Sequence, residues 1–562
     1  MKASDYIVEF LKRIGTTHIF GYPGGAVTHI IDSIYKCDGI KFIGMGNEQG
    51  AAFAAEGYSR SSGKIGVALA TSGPGATNLI TGIGSAYFDS VPVVYITGQV
   101  NTYEYKRSFE TTANIRQLGF QETDIVEIVK PITKYAVRIT NAEDLQSELS
   151  KAVSIAKSGR QGPVLIDIPM NIQRADVNFD IDNSDAQMKT DYDGIDTDSI
   201  ISLINSANRP VILIGGGCRL EDNYSLKELL LATKIPVVAS LMGLERMNFE
   251  YENFLGLIGA YGSRYANKTF AGSDLIISLG SRFDNRQTAK RDTFAKSAKI
   301  IRVDVDKNEF AYKVKSDEIN IYSDCENFLQ KLAECREKLC PVKSDWISYI
   351  KDLKEKYDLS DEPYMDMPAK VMGNISACCN CNTIVTTDVG QNQIWAAQML
   401  KSEKCYKFMT SGGMGAMGFS LPSAIGAAFA NPDKQIVSIS GDGGINMNIQ
   451  ELHTVKRYNL PIKIIVLNNR ALGMIRHFQE MYFNSLYAGT IVDYDTPDYT
   501  KIATAYGIES YKLDENFTAD DLMGIFGKDN ATLTEIILPQ TTYIFPKLAV
   551  GEPIENQDPQ ID

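Results

Sequence analysis

The run Gly441-Asp442-Gly443-Gly444, followed by Ile449-Gln450-Glu451-Leu452 and then by Leu467-Asn468-Asn469, decides the fold of this chain. A glycine turn carries one carboxylate, and apolar Met447, Ile449, Leu452 and Val455 recur behind it at helical spacing. The helix predicted there runs about 19 Å outward at ~1.5 Å per residue before the chain turns at Asn459-Leu460-Pro461. The apolar run Ile462 to Leu467 then returns about 20 Å as a strand at ~3.3 Å per residue, which brings Asn469 back beside Asp442. Two oxygen ligands distant in sequence thus converge at one end of a sheet. Magnesium is held by one or two protein oxygens together with substrate phosphates and water. Asp442, Asn469 and a backbone carbonyl near Ala471 supply such a partial set, so the stretch reads as a site for a magnesium-bound diphosphate.

The chain has 562 residues, more than one core usually supports, and domains of about 180 residues are the expectation. Its 44% hydrophobic content provides ample core, and 56 basic against 69 acidic side chains give a charge of −13, which offers no electrostatic footprint for nucleic acid or anionic membrane. Glu9, Lys12 and Arg13 interrupt the first apolar pattern, so no signal-peptide core is expected there. Nothing approaches ~18 uninterrupted apolar residues. The nine cysteines are scattered; neither Cys378, Cys379 and Cys381 nor Cys335 and Cys340 has the paired spacing of a zinc site. Reduced thiols in a cytoplasmic protein are expected.

Three α/β blocks follow one another. Residues 1–175 alternate helical patterns with apolar strands such as Ile65 to Leu69 and Val91 to Ile96, and a polar, acidic linker follows over 176–198. The second block, 199–342, opens on the strand Pro210 to Ile214 and then Gly215-Gly216-Gly217. A charged connection over 343–361 leads to the third block, 362–548, and the tail, 549–562, is expected to lie extended on the surface. The first and third blocks look alike: Thr71-Ser72-Gly73-Pro74-Gly75 opens a helix leading to Val91–Ile96, and Thr410-Ser411-Gly412-Gly413-Met414-Gly415 opens one leading to Gln435–Ile439. Two copies of one doubly wound fold are expected, with ligands at the carboxyl ends of the strands.

The diphosphate stretch resembles the thiamine-diphosphate motif of the family that includes acetohydroxyacid synthase, pyruvate oxidase and benzoylformate decarboxylase. The resemblance implies an α/β chain of three doubly wound parallel-sheet domains: pyrimidine-binding, central FAD-type and diphosphate-binding. Gly46-Asn47-Glu48-Gln49-Gly50 looks like the segment carrying the family's cofactor-activating glutamate, which maps onto Glu48. A carboxyl group there, hydrogen-bonded to the aminopyrimidine ring nitrogen, favours the imino tautomer that takes the thiazolium C2 proton. Met417 matches the apolar residue that bends the cofactor, and the resemblance implies cofactor contacts at Pro74 and Asn78, at Gly390, Gln391 and Asn392, at Gly415, at Gly443 and Gly444, and at Gly473 and Met474.

Arg160-Gln161-Gly162-Pro163 at the end of the first block, and Ser240-Leu241-Met242-Gly243, Tyr261-Gly262-Ser263-Arg264, Gly280-Ser281-Arg282 and Val303-Asp304-Val305-Asp306 in the second, resemble FAD-contacting segments of acetohydroxyacid synthase. The FAD contacts implied are Arg160, Gly215, Gly216 and Gly217, Leu241 and Met242, Gly262 and Arg264, Gly280 and Arg282, and Asp304 and Asp324. In the nearest family the flavin is structural. Gly21-Tyr22-Pro23-Gly24-Gly25-Ala26 resembles the loop beside the reacting centre, Phe120-Gln121-Glu122 a segment near it, and Lys134 a nearby lysine. Gly473-Met474-Ile475-Arg476 and Phe478 resemble the acceptor side, and Arg286 the residue that holds the acceptor carboxylate.

Four departures stand out: Asn47 and Asn392 replace histidines usual in the family, Phe478 a tryptophan and Asn285 an aspartate. The implied activity is decarboxylation of pyruvate and ligation of the resulting hydroxyethyl carbanion to a second ketone, as in acetolactate synthase. Alternatives are a larger keto acceptor such as a nucleotide-linked keto sugar, pyruvate oxidase, or a silent paralogue that only binds a partner. The implied assembly is a homodimer or homotetramer with its active site at the subunit interface, open to a regulatory small subunit, and with no nucleic-acid or membrane partner.

Overall fold

The computed structural model describes the chain except residues 107–114, 180–191, 221, 402–404, 406, 550 and 562. The first sheet contains β1 (His18–Gly21), β2 (Lys41–Gly44), β3 (Gly66–Ala70), β4 (Val93–Gln99), β5 (Tyr135–Arg138) and β6 (Val164–Pro169), in the order β2-β1-β3-β4-β6-β5. The middle sheet contains β7 (Pro210–Ile214), β8 (Val237–Ala239), β9 (Phe254–Leu257), β10 (Leu275–Leu279), β11 (Lys299–Asp304) and β12 (Ile319–Tyr322), in the order β12-β11-β10-β7-β8-β9. The third contains β13 (Thr383–Thr387), β14 (Lys407–Thr410), β15 (Gln435–Gly441), β16 (Lys463–Asn468), β17 (Glu509–Leu513) and β18 (Thr532–Ile537), in the order β14-β13-β15-β16-β18-β17. Every pairing within these sheets is parallel. Central strands such as β3, β7 and β16 are buried along their whole length, as near-continuous apolar runs require when helices cover both faces.

Counting strands from the start of each sheet, the first and third share the order 2-1-3-4-6-5, whereas the middle one has 3-2-1-4-5-6. The likeness of the outer blocks is therefore topological, but its register differs from the sequence reading. Thr410 to Gly415 follows the second strand of its sheet, while Thr71 to Gly75 follows the third. The true counterpart of Thr71 to Gly75 is Gly441 to Gly444, and that of the Thr410 loop is the Met45-Gly46-Asn47 turn. Glycine-rich loops recur after several strands, so motif resemblance alone paired the wrong two.

The equivalent helices Glu48–Ser62 and Ser420–Ala430 pack directly on each other. A Cβ on Gly57 would stand 2.2 Å from the Ser423 carbonyl oxygen, and one on Gly426 would stand 1.9 Å from that of Ala54. Only glycine permits this approach. Beside the helix pair, Arg60, its side chain 5% exposed, links elements of all three blocks: it donates to Glu245 at 3.0 Å and to the Thr410 carbonyl at 2.7 Å, and lies 3.5 Å from Glu56. Asp89 accepts from the amides of Gly412 (3.0 Å) and Gly413 (2.6 Å).

Three segments differ from their sequence reading. The helix after Asp442 is broken into Asp442–Met447 and Glu451–Arg457, leaving Met447 53% exposed. The connection over 343–361 contains the helix Ser344–Lys356, whose Trp346, Ile350 and Leu353 are buried; its many charges hid an i, i+4, i+7 apolar stripe. The tail does not lie extended on the surface. Leu548 bonds to the Ala260 carbonyl, Ile554 is buried among Val211, Phe270 and Trp346, and Lys547–Leu548 pairs antiparallel with Gln557–Asp558. The middle of the 176–198 linker lies outside the described residues; its start pairs with the N-terminus through Lys2 and Asp176.

Candidate active site

At the carboxyl end of β15, Asp442 is 3% exposed. Its Oδ1 accepts from the Gly443 amide (2.7 Å) and the Tyr494 hydroxyl (3.0 Å), while Oδ2 has no hydrogen-bond partner. Burial pushes the carboxyl up to about 6, against the donors on it and the facing amides of Arg470 and Ala471. An orphaned carboxylate oxygen this deeply buried is costly unless a cation meets it. Asn469, at the end of the neighbouring β16, is held through Nδ2 by Gln391 (3.1 Å) and Thr542 (2.7 Å), and its Oδ1 accepts from the Ala471 amide at 3.2 Å. Asp442, Asn469 and Ala471 thus lie on adjacent parallel strand ends, and this all-oxygen donor set with one carboxylate fits a magnesium diphosphate. Among the described residues no group of three or more His, Cys, Asp or Glu side chains forms a separate metal cage.

The surrounding backbone is shaped for close approach. Gly390 has φ 151° and Gly415 φ 69°. Gly444 faces the buried Asp388, whose carboxylate accepts from the amides of Val389, Gly418 and Ser420. Asn392 holds the same turn by donating to the Asp388 carbonyl. A Cβ on Gly473 would stand 2.0 Å from Gln391 Oε1, and one on Gly443 would stand 3.2 Å from the Met417 methyl. Met474 packs against the apolar cluster beneath, and Phe478, 48% exposed, leans on Tyr482 with ring centroids 4.7 Å apart. Asp388, Tyr494 and Thr542 were absent from the sequence reading: a lone Asp, Tyr or Thr far from any motif carries no signal.

On the first sheet, Glu48 begins the helix after β2 and is 7% exposed. Asn47 caps that helix, accepting from Gly50 N at 2.8 Å, so Glu48 is released from capping; its Oε2 accepts from Asn78 Nδ2 at 2.9 Å. Gly75, in the short helix opened by Pro74, presses on the carboxyl group, with its ideal Cβ 2.9 Å from Oε1. From the helix Glu451–Arg457 of the third block, buried Glu451 accepts from the amides of Gly46 (3.0 Å) and Asn47 (3.3 Å), fixing the turn that delivers Glu48. The loop of Gly25 is tied in by Ala26 N donating to Thr71 Oγ1 at 3.2 Å, and Gln121, with φ 64°, packs against Gly73. Phe120 is 86% exposed.

Lys134 does not join these residues. It precedes β5, so it stands at the amino edge of the sheet, opposite the loops above, where its ammonium group donates to the carbonyls of Ile155 and Ser158. Burial pulls it down to about 8.

The middle sheet opens on a cavity of ≈ 470 Å³ at its own carboxyl edge, where β7 and β10 neighbour each other and the strand order reverses. Gly216, Gly217, Gly280, Leu241 and Met242 form apolar and backbone walls, and Arg160, bonded to Glu309, and Arg219, bonded to Gln161 and the Ser90 carbonyl, line it together with Arg282 and Arg286. Asp304 and Asp324 also line it. Burial raises Asp304 to about 6. Volume, glycine walls and four guanidinium groups fit a dinucleotide such as FAD. Three residues assigned to this site stand elsewhere. Gly215 lies behind the wall, its ideal Cβ 2.1 Å from Gly280 O, and Gly262 packs on Ile258. Arg264 is buried against Glu362 (2.5 Å) and the carbonyls of Gln557 and Pro559, so it anchors the tail.

Comparison with known proteins agrees with this geometry. Residues 1–128 match the thiamine pyrophosphate enzyme N-terminal TPP binding domain, 197–332 the central domain and 388–530 the C-terminal TPP binding domain. The chain is 36% identical to the acetolactate synthase large subunit of Lactococcus lactis, covering 98% of this chain and 94% of that one. It is 36% identical to the acetolactate synthase isozyme 2 large subunit of Escherichia coli (98% of each) and 38% identical to tobacco acetolactate synthase 1, chloroplastic (98% and 84%). With both thiamine-binding domains matched and similarity running the length of the chain, this protein belongs to the thiamine pyrophosphate enzyme family, among the relatives of the acetolactate synthase large subunits.

Proposed function

We propose that the chain decarboxylates pyruvate and joins the two-carbon fragment to a second 2-ketoacid, acetolactate being the product when that acceptor is pyruvate. The observation that carries this reading is that the chain presents both halves of such a site, Glu48 held by Asn78 on the first sheet and the bare Asp442 Oδ2 on the third, which meet across the interface between two copies in the proposed assembly. Thiamine diphosphate, when bound, supplies the electron sink for decarboxylation. Asp442, Asn469 and the Ala471 carbonyl would hold its magnesium ion, and Gly443, Gly444 and Gly473 would leave room for the diphosphate. Met417 supports the bend of the cofactor. Glu48, buried and shielded from competing water, would hold or give up a proton at the aminopyrimidine ring nitrogen of the bound cofactor. Arg286, exposed beside the central cavity, receives the acceptor carboxylate as a guanidinium fork. The central cavity would hold FAD as a structural element, since decarboxylation and ligation are redox-neutral.

The same reading assigns a homodimer or homotetramer whose apolar Phe120, Met414, Met447 and Phe478, all exposed in the single chain, meet a second copy. The Lactococcus lactis and Escherichia coli relatives are named large subunits, and a smaller regulatory partner belongs to this proposal. So do a cytoplasmic location and the division at 1–175, 199–342 and 362–548. The nine free cysteines support the location. Among the described residues no helix is long and apolar enough to cross a membrane. The test is incubation of purified protein with pyruvate, alone and with each of 2-ketobutyrate and a nucleotide-linked keto sugar, followed by mass spectrometry. Acetolactate supports the proposal; a product from the keto sugar alone replaces it with the larger-acceptor reading.

A further inference from the structure

Asp442 is not symmetric in its surroundings. Its Oδ1 is filled by two donors, the Gly443 amide at 2.7 Å and the Tyr494 hydroxyl at 3.0 Å, while its Oδ2 is buried with no partner. The Gly443 bond is intrinsic to the turn, and on its own it leaves Oδ1 with capacity for a further partner. The second donor comes from elsewhere: Tyr494 lies beyond the helix Gly473–Tyr482, and its hydroxyl oxygen stands 3.3 Å from where a Cβ on Gly443 would be. Tyr499, from the same part of the chain, donates to the Asp442 backbone carbonyl at 2.8 Å and leaves the carboxylate alone.

The two oxygens of a carboxylate decide between cations. Magnesium takes near-octahedral geometry at about 2.0–2.1 Å and accepts one oxygen per carboxylate readily, whereas calcium takes six to eight ligands at about 2.3–2.6 Å and often draws both oxygens. With Oδ1 occupied, only one-oxygen coordination through Oδ2 remains.

We propose that Tyr494 is a metal-specificity residue: by occupying Asp442 Oδ1 it confines the carboxylate to one-oxygen coordination and so selects magnesium over calcium at the diphosphate site. This rests on the reading that Asp442, Asn469 and Ala471 hold the cofactor's cation. Tyr494 touches neither the reacting atoms nor, on this account, the cation itself; it is a positioning residue that acts through Asp442.

The experiment uses the full chain stripped with chelator and held at fixed thiamine diphosphate, with Mg²⁺ or Ca²⁺ titrated against quenching of protein fluorescence. Trp395, on the helix Gln391–Met399 at the edge of the site, is the expected reporter. The parent should prefer Mg²⁺, and Tyr494→Phe should narrow the ratio of apparent Mg²⁺ to Ca²⁺ affinity by about tenfold, the scale of one hydrogen bond to a charged group. Tyr499→Phe should leave that ratio at the parent value. Equal loss for both cations in Tyr494→Phe means only general support of the turn and overturns the proposal, as does an unchanged ratio. Tyr494→Leu, with its unfolding temperature recorded, repeats the measurement if the phenylalanine variant fails to fold. A parent that shows no cation-dependent quenching removes the cation-site reading itself, an outcome distinct from a parent that binds both ions while Tyr494→Phe leaves their ratio unmoved.

Discussion

Glu48 can be perturbed in two independent ways, and the structure sets a different size for each. Glu48→Gln keeps the side chain's shape and an oxygen to accept from Asn78, now at 2.9 Å, but removes the exchangeable carboxyl proton. General acid–base groups contribute about 10²- to 10⁴-fold, so exchange of the C2 proton of bound thiamine diphosphate should slow by that order while cofactor binding persists. Gly75→Ala keeps the acid and moves it. The added methyl group would lie 2.9 Å from Glu48 Oε1 and 2.8 Å from the Thr71 methyl. Ordinary contact begins at 3.4 Å, so the carboxyl end must give by roughly 0.5 Å. Gly75 lies in the helix Pro74–Asn78 with no positive φ, so alanine brings no backbone strain, and the flexible end of Glu48 yields before the helix does. Displacements on the order of 0.5 to 1 Å cost roughly ten- to a hundredfold in rate, and Gly75→Ala should fall in that range. The two changes act on one group and should not add: in the Glu48→Gln background, Gly75→Ala should cost less than about threefold further. The assay is rapid-quench hydrogen–deuterium exchange at C2, read by proton NMR. Exchange in Glu48→Gln within about threefold of the parent, far short of the general acid–base range, would refute the role of Glu48. Full additivity would show that Gly75 acts by another route.

Purified protein should release FAD on denaturation at close to one per chain and turn over pyruvate without oxygen uptake; steady oxygen consumption would instead support an oxidase. Glu56 is fully buried, with Oε2 unpartnered, and burial raises it to about 8, helped by Asp89 and opposed by Arg60. Because the folded protein holds this proton more tightly than the unfolded chain, its contribution to stability is present below the ordinary carboxylate range and is lost as pH rises toward 8. Glu56→Gln should therefore raise the unfolding temperature at pH 8.5 relative to the parent by more than at pH 5, a difference on the order of 1 kcal/mol or more in thermal melts. Phe478 offers less apolar surface than tryptophan, so an equal mixture of pyruvate and 2-ketobutyrate should give little bias toward acetohydroxybutyrate, and Phe478→Trp should raise that bias by roughly tenfold, one methylene in an apolar pocket being worth about 1 to 3 kcal/mol.

The central strands were legible because a parallel strand covered on both faces needs an unbroken apolar run, and Pro210 to Ile214 or Ile462 to Leu467 match nothing else. Asp442 and Asn469 were legible for a related reason: a helix and a strand of known rise return the chain to its starting edge. What failed has its own physics. Lys134 was placed by resemblance alone, whereas its position just before β5 sends it to the amino edge of a parallel sheet. Arg264 followed a glycine motif, but whether a guanidinium faces a cavity or a buried carboxylate depends on Glu362 and on a tail nearly 300 residues away. Tyr494 lay in a polar stretch with no periodicity, and only the fold of that segment brings it to Asp442.

The shifted repeat ties these outcomes together. Once Thr71 to Gly75 is matched with Gly441 to Gly444, each outer sheet carries a loop of the proposed cofactor site after its third strand, one holding Pro74 and Gly75 against Glu48, the other holding Asp442. The loops after the second strands, Met45 to Asn47 and Thr410 to Gly415, deliver Glu48 and lead toward Met417, and their helices meet across Gly57 and Gly426. The acid and the bend are therefore positioned by equivalent elements whose helices share one glycine-lined contact. A substitution that forces those helices apart, such as Gly426→Ala against the Ala54 carbonyl, should disturb the Glu48 and Met417 elements together, whereas changes at Gly75 or Tyr494 should disturb only one.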